Sequence, residues 1–234
     1  MTRPWRDRYG RSIYYLRVSV TDRCNLRCVY CMPEEGVPPI AHQDILRYEE
    51  ITRLVRIATS LGIVKVRLTG GEPLVRKGIE QLVQSLARIP SIDDLSMTTN
   101  GTLLAGLASK LARAGLQRVN IALSSLRPER FRKITRQGDL SDTLAGIEAA
   151  HAAGLAPIKI NNVVMRGRNE DEVVDFARRT VDEGWHVRFI EVMPFQESGL
   201  QAAQHYVSTS ETRKSIEDAL GPLTAARVTG NGPA

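Results

Sequence analysis

Residues 61–73 read LGIVKVRLTGGEP, and their order decides the fold. Gly62 closes a stretch of helical period, a β-branched run follows, and a glycine-rich loop ends it. A glycine placed there can take the left-handed backbone that stops a helix. Val64, Val66 and Leu68 alternate with Lys65, Arg67 and Thr69, the period of a strand. The same junction recurs as AGLQRVNIAL at 114–123, AGLAPIKIN at 153–161 and EGWHVRFIEV at 183–192, with Gly115, Gly154 and Gly184 in the capping place.

Working outward, strands are predicted at 15–20, 64–69, 94–99, 118–123, 157–163 and 186–192. Amphipathic helical stretches lie between them. One carries Ile51, Leu54, Val55, Ala58 and Leu61, another Ile79, Leu82, Val83 and Leu86. Helices between successive strands require parallel pairing through right-handed crossovers. The fold class is therefore α/β. Six units suggest an incomplete (β/α)6 barrel, parallel strands inside and helices outside; an open doubly wound sheet is the alternative. Polar residues sit at every second strand position: Arg17 and Ser19, Lys65, Arg67 and Thr69, Asn120 and Ala122, Lys159 and Asn161. A sheet covered by helices on both faces should be nearly all apolar, so this stripe favours a barrel whose inner face lines a cavity. Strands exposed to solvent on one face would leave the same trace.

The chain has 234 residues, 42% of them hydrophobic, enough for one α/β core. Its apolar runs are too short to span a membrane, and the start MTRPWRDRYGRSIYY lacks a signal-like apolar region. The expected location is the cytoplasm. The net charge of +6 suits an anionic small ligand. No interleaved basic–aromatic run or nucleic-acid motif is present, so a nucleic-acid partner is not expected.

The chain's three cysteines fall within eight residues, in VTDRCNLRCVYCMPEEG at 20–36. An odd, tightly spaced set argues against a disulfide framework. A structural zinc ion would need a fourth ligand, and His42, the nearest histidine, has nothing around it that marks it as one. Three thiolates at C-x3-C-x2-C spacing can instead hold three corners of a [4Fe–4S] cluster, leaving the fourth iron open to bind and reduce a small molecule.

Sites in parallel α/β folds gather at the carboxyl ends of the strands. The distinctive sequences collect there: the cysteine loop, then Gly70-Gly71-Glu72-Pro73, Thr98-Thr99-Asn100-Gly101, Ser124-Ser125, Asn161-Asn162 and Glu191-Val192-Met193-Pro194. The glycines would let backbone groups approach a ligand, and Glu72 could accept a hydrogen bond from an ammonium group.

On these stretches the chain resembles the radical S-adenosylmethionine enzymes, and within them the GTP 3′,8-cyclase family of molybdenum cofactor biosynthesis. The likeness rests on LRVSVTDRCNLRCVYCMPEEG, VRLTGGEPLVRKG, TTNGTLL, AGLQRVNIAL, KINNVVMRGRNEDEV, VRFIEVMPF and GNGPA, which together span nearly the whole chain. It implies that Cys24, Cys28 and Cys31 hold the cluster. It implies that Tyr30, Gly70, Gly71, Glu72 and Met193 lie at the S-adenosylmethionine site. Arg17, Arg67, Thr98 and Lys159 would contact GTP, where guanidinium and ammonium groups suit a triphosphate. Ala122 replaces a serine common in the family, a loss of roughly 1 kcal/mol of cofactor contact that Ser124 could offset.

The resemblance further implies a second [4Fe–4S] cluster, held by three further cysteines and touching the guanine. Its ligands are absent here, and the chain stops inside a family motif, so truncation is expected. The expected division is an N-terminal extension at 1–14, a radical S-adenosylmethionine partial-barrel core at 15–200, and the start of a truncated C-terminal extension at 201–234. The partners would be GTP, an electron donor of flavodoxin or ferredoxin type, the next enzyme of the pathway and a second copy in a homodimer. Two rival readings are a short relative acting on another anionic substrate and a non-catalytic fragment that binds cofactor.

Overall fold

The structure is a computed structural model that describes residues 5–194 and 200–226. Residues 195 and 230–234, part of the motifs above, lie outside the described residues. Six strands run in chain order: β1 (Tyr15–Ser19), β2 (Lys65–Thr69), β3 (Asp94–Thr99), β4 (Arg118–Ala122), β5 (Lys159–Val164) and β6 (His186–Glu191). Each pairs in parallel with the next, giving one sheet of order β1-β2-β3-β4-β5-β6.

That order removes the doubly wound alternative. Helices can cover both faces of an open sheet only if the strand order reverses at a switch point. A sequential order with right-handed crossovers puts every helix on one face, and the sheet must curl to shelter the other. No ladder joins β1 to β6, so the sheet is a partial barrel. The expected strand at 157–163 begins at Lys159 instead. Pro157 has no N–H to donate to a ladder, so pairing starts after it.

The outer layer holds α1 (Tyr48–Ser60), α2 (Ile79–Ala87), α3 (Ala108–Arg113), α4 (Pro128–Thr135), α5 (Leu140–Ala152) and α6 (Val173–Asp182). All four expected helix-ending glycines are left-handed, with φ from 68° at Gly184 to 105° at Gly115. In α2 the predicted stripe of Ile79, Leu82, Val83 and Leu86 is buried in full. In α1 only Ile51 and Val55 are buried, and Leu54 and Leu61 are exposed, because the helix meets the sheet along a narrower seam than its apolar arc. The core lies between helices and sheet, where Val66, Leu68, Met97, Val119, Ile121 and Ile160 are fully enclosed. Those residues alternate with the polar stripe, so Arg67, Ser96, Asn120 and Lys159 lie on the opposite, inner face, and they too are buried.

Two flanking segments pack on this body. The stretch before β1 turns at an Arg6–Ser12 bridge and is held by Trp5 N–H donating to Leu61 O at 3.2 Å. After β6 come α7 (Ala202–His205) and α8 (Thr209–Leu220), the latter capped by Ser208 and lying on α6 and β6. Among the described residues no helix is long and apolar enough to cross a membrane.

Candidate functional site

The cysteine loop roofs the partial barrel. It leaves β1 and meets the shelf after β2: Gly71 N–H donates to Thr21 O and Glu72 N–H to Arg23 O, both at 2.8 Å. A Cβ on Gly71 would sit 2.3 Å from Arg23 O, and one on Gly70 (φ 151°) 2.5 Å from Thr21 O. These glycines permit a close approach between shelf and cysteine loop.

The Glu72 carboxylate, 1% exposed, accepts from Leu74 N–H (3.0 Å), Thr99 Oγ1 (2.7 Å) and Asn100 N–H (2.6 Å). Burial pushes its pKa up, and those bonds pull the other way. It braces the shelf against the end of β3. Asn100 carries the brace onward, its Nδ2 donating to Asn25 Oδ1 at 2.9 Å inside the cysteine loop.

At the far side, Val29 packs with Ile134, Met165 and Val192, the last of these just past β6. The loop thus leaves β1 and shares a buried cluster with Val192, just past β6. Tyr30 OH lies 3.1 Å from Ser124 Oγ at the end of β4 and hydrogen-bonds the Cys28 thiol. Ser124, offered as a substitute for the missing serine at 122, is therefore engaged with Tyr30. Met193 stands exposed on the rim beyond β6.

All three cysteines are free. Burial pushes the Cys28 thiol up to about 12 and raises Cys24 as well. Cys31 is exposed as a residue, and desolvation raises its thiol too. Buried thiols become thiolates only beside a cation. Among the described residues no His, Cys, Asp and Glu group converges tightly enough for a single metal ion. The Cys28 thiol responds to the charge of both Cys24 and Cys31. Three thiols on one loop are the donor set of an open [4Fe–4S] cluster, whereas a structural zinc ion takes four ligands. Leu26 N–H reaches Cys24 Sγ at 3.4 Å, the kind of amide contact that tunes a ligating sulfur.

Below the roof the inner face is cationic. Arg67 Nε donates to Ser96 Oγ at 3.3 Å, and its guanidinium stands 5.2 Å over the Tyr15 ring. Asp94 and Arg118 form a buried two-pronged pair, at 2.5 and 3.0 Å. Lys159, 2% exposed, senses three arginines, Arg118, Arg188 and Arg67, against one carboxylate, Asp94. Burial first and those arginines second bring its pKa down to about 8. Arg67 is lowered by the same causes. Arg17 is exposed at the β1 edge but lies within electrostatic reach of Arg67 and Tyr15. Thr98 faces Asn120 across the β3–β4 ladder, and Asn120, fully buried, has no partner for either amide atom. Arg67 Nη2 and Tyr15 OH are likewise unpartnered. The sheltered inner face thus carries surplus positive charge and idle donors, surroundings that favour an anion.

The structure therefore brings the GTP-assigned residues Arg67, Thr98 and Lys159 into one chamber, with Arg17 at its edge. The sequence reading missed Arg188 and the Asp94–Arg118 pair. Arg188 was within reach: it has the parity of His186 in β6 and pairs with Asn161. A surface groove lined by His151, Pro157 and Trp185 opens at the amino ends of β5 and β6, away from this chemistry.

The profile of the radical SAM superfamily matches residues 18–180, which gives the class of the protein. GTP 3′,8-cyclases from Petrotoga mobilis and Pelotomaculum thermopropionicum are 53% and 55% identical over 227 and 229 residues. Each alignment covers 97% of this chain and 70% of the relative. The chain belongs to the GTP 3′,8-cyclase family of the radical SAM superfamily. Solved structures share the fold: a radical SAM methyltransferase from Sphaerobacter thermophilus has a TM-score of 0.65 at 17% identity, covering 96% of this chain and 72% of its own. The hydrogenase maturase HydG has a TM-score of 0.68 at 17% identity, covering 88% and 49%. The cofactors that this family implies are a [4Fe–4S] cluster and S-adenosylmethionine. A second cluster would find no thiolates in this chain, whose three cysteines all lie in the first loop.

Proposed function

We propose that this chain is the radical core of a GTP 3′,8-cyclase, acting on GTP to give 3′,8-cyclo-7,8-dihydro-GTP. The observation that carries this reading is the placement of a three-cysteine loop directly over a buried cationic chamber. Cys24, Cys28 and Cys31 would hold the cluster, which with S-adenosylmethionine would supply the reducing electron and the radical chemistry for hydrogen abstraction from C3′ of GTP.

The chain's own residues bind and orient. Cys24, Cys28 and Cys31 hold the cluster. The backbone of 70–72 and the Tyr30–Ser124 pair line the cofactor side beneath it, with Met193 on the rim. Arg67, Lys159 and Arg188 receive the triphosphate, with Arg17 at the open edge and Thr98 and Asn120 beside it. The bonded roof excludes water, which would otherwise quench a radical and screen the cations.

An electron donor such as flavodoxin or ferredoxin, a reducing cytoplasmic setting, the next pathway enzyme and a homodimer complete the reading. The test is anaerobic reconstitution with iron and sulfide, followed by S-adenosylmethionine, dithionite and GTP. About four irons per chain are expected, with 5′-deoxyadenosine detected by mass spectrometry and little cyclised nucleotide, since the second cluster's ligands are absent here. Cys28→Ala should abolish 5′-deoxyadenosine. A chain that holds its cluster and yields no 5′-deoxyadenosine would overturn the proposal.

A further inference from the structure

The cysteine loop has a second grip besides the shelf, and it comes from α4. Arg27 N–H donates to Thr135 O and Val29 N–H to Ile134 O, both at 2.9 Å, so the residues flanking Cys28 are tied to the end of that helix. The helix stops at Arg136, whose φ of 63° makes it the only non-glycine with positive φ among the described residues. Glycine or asparagine is the usual occupant of such a backbone. Arg136 instead sends Nη1 to Arg27 O and to Met32 O, 3.0 Å each, two carbonyls that bracket Cys28 and Cys31. Arg27 makes the matching clasp on the other cysteine, Nη1 donating to Cys24 O at 2.6 Å.

We infer that Arg136 is a positioning residue of the iron–sulfur centre: its guanidinium closes the arc from Arg27 to Met32 and fixes the spacing of Cys28 and Cys31. The left-handed backbone at 136 is what turns the side chain back onto the loop. A glycine there would satisfy the backbone and leave both carbonyls without their donor. Strain and function are thus separable at one position, which strained residues at working sites seldom allow. The inference rests on the iron–sulfur reading of the three cysteines. A fixed positive charge beside the cluster also favours its reduced state.

Wild type, Arg136→Gly and Arg136→Lys, each reconstituted in the full chain, separate the possibilities. Three quantities are measured: thermal stability of the iron-free protein, the rate of iron release to a ferrous chelator, and the cluster's midpoint potential with its EPR signature. Arg136→Gly should be at least as thermally stable as wild type when iron-free, yet release iron about tenfold faster, the usual scale for losing an outer partner of a metal site. Its potential should fall, and Arg136→Lys should lie between. Iron release from Arg136→Gly at the wild-type rate overturns the inference. So does a parallel loss of stability and iron, which would make Arg136 a structural cap only. Failure of wild type itself to hold iron overturns the iron–sulfur reading, and this inference with it.

Discussion

At the scale of single residues, the site turns on atoms that have no room to move. Gly71→Ala would drive a Cβ to within 2.3 Å of the Arg23 carbonyl. Overpacking of this kind costs about 1–3 kcal/mol, and here it also breaks the two bonds that seat the cysteine loop. The expected outcome is a lower denaturant midpoint together with poor iron loading, read by unfolding and by iron and sulfide assay. Full loading at wild-type stability would show that shelf and loop do not depend on each other. Lys159 makes a prediction in pH. Its pKa of about 8 lies below the ordinary value of 10.5, so between those values the folded chain binds fewer protons than the unfolded one. The Lys159 contribution to stability therefore rises with pH across that window, while that of the raised Cys28 thiol falls above 9, so the Lys159 effect is read as the difference in slope between wild type and Lys159→Met. A bound triphosphate draws the proton back. GTP affinity should weaken by up to about tenfold per pH unit above 8, with proton uptake visible in calorimetry in buffers of different ionisation enthalpy. A flat profile in wild type would remove Lys159 from the phosphate site.

Among the elements, β3 and β4 are fastened from within by Asp94 and Arg118, both side chains at most 5% exposed. Removing one member of a buried pair leaves the other charged and unpaired, at a cost of about 3–5 kcal/mol. Asp94→Ala should lower stability by that amount in urea unfolding. A loss under 1 kcal/mol would mean that water reaches the pair. The same carboxylate is the one negative charge sensed by Lys159. Its removal should also raise the chamber's affinity for anions in whatever folded fraction remains.

At the scale of the molecule, six parallel strands do not close, and the cysteine loop stands in for the missing wall. Its contacts run from the shelf after β2 through Tyr30 and Ser124 to Val192 beyond β6. Ordering this loop around a cluster should therefore be felt at a distance. Hydrogen exchange should slow on iron loading in three segments, 24–36, 124–138 and 187–194, while α1 and α2 keep their rates. Protection confined to 24–36 would show that the roof is not coupled to the far strands.

The sequence by itself determined the alternation of helix and strand, the parallel sheet and the cluster loop, because each is written locally. Gly62, Gly115, Gly154 and Gly184 end helices through their own backbone freedom, and C-x3-C-x2-C needs no distant partner to be read. Period two placed Arg67 and Lys159 on an inner face. Only the tertiary structure decided what that face contains. Arg188 joins the chamber through strand pairing with β5, and Asp94 meets Arg118 across 24 residues. Glu72 braces the shelf as well, because Thr99 and Asn100 from the next strand reach its carboxylate. Arg136 reaches the cysteine loop across more than 100 residues. A buried polar group takes whichever partner the packing brings within about 3 Å, and that choice is made by the whole chain.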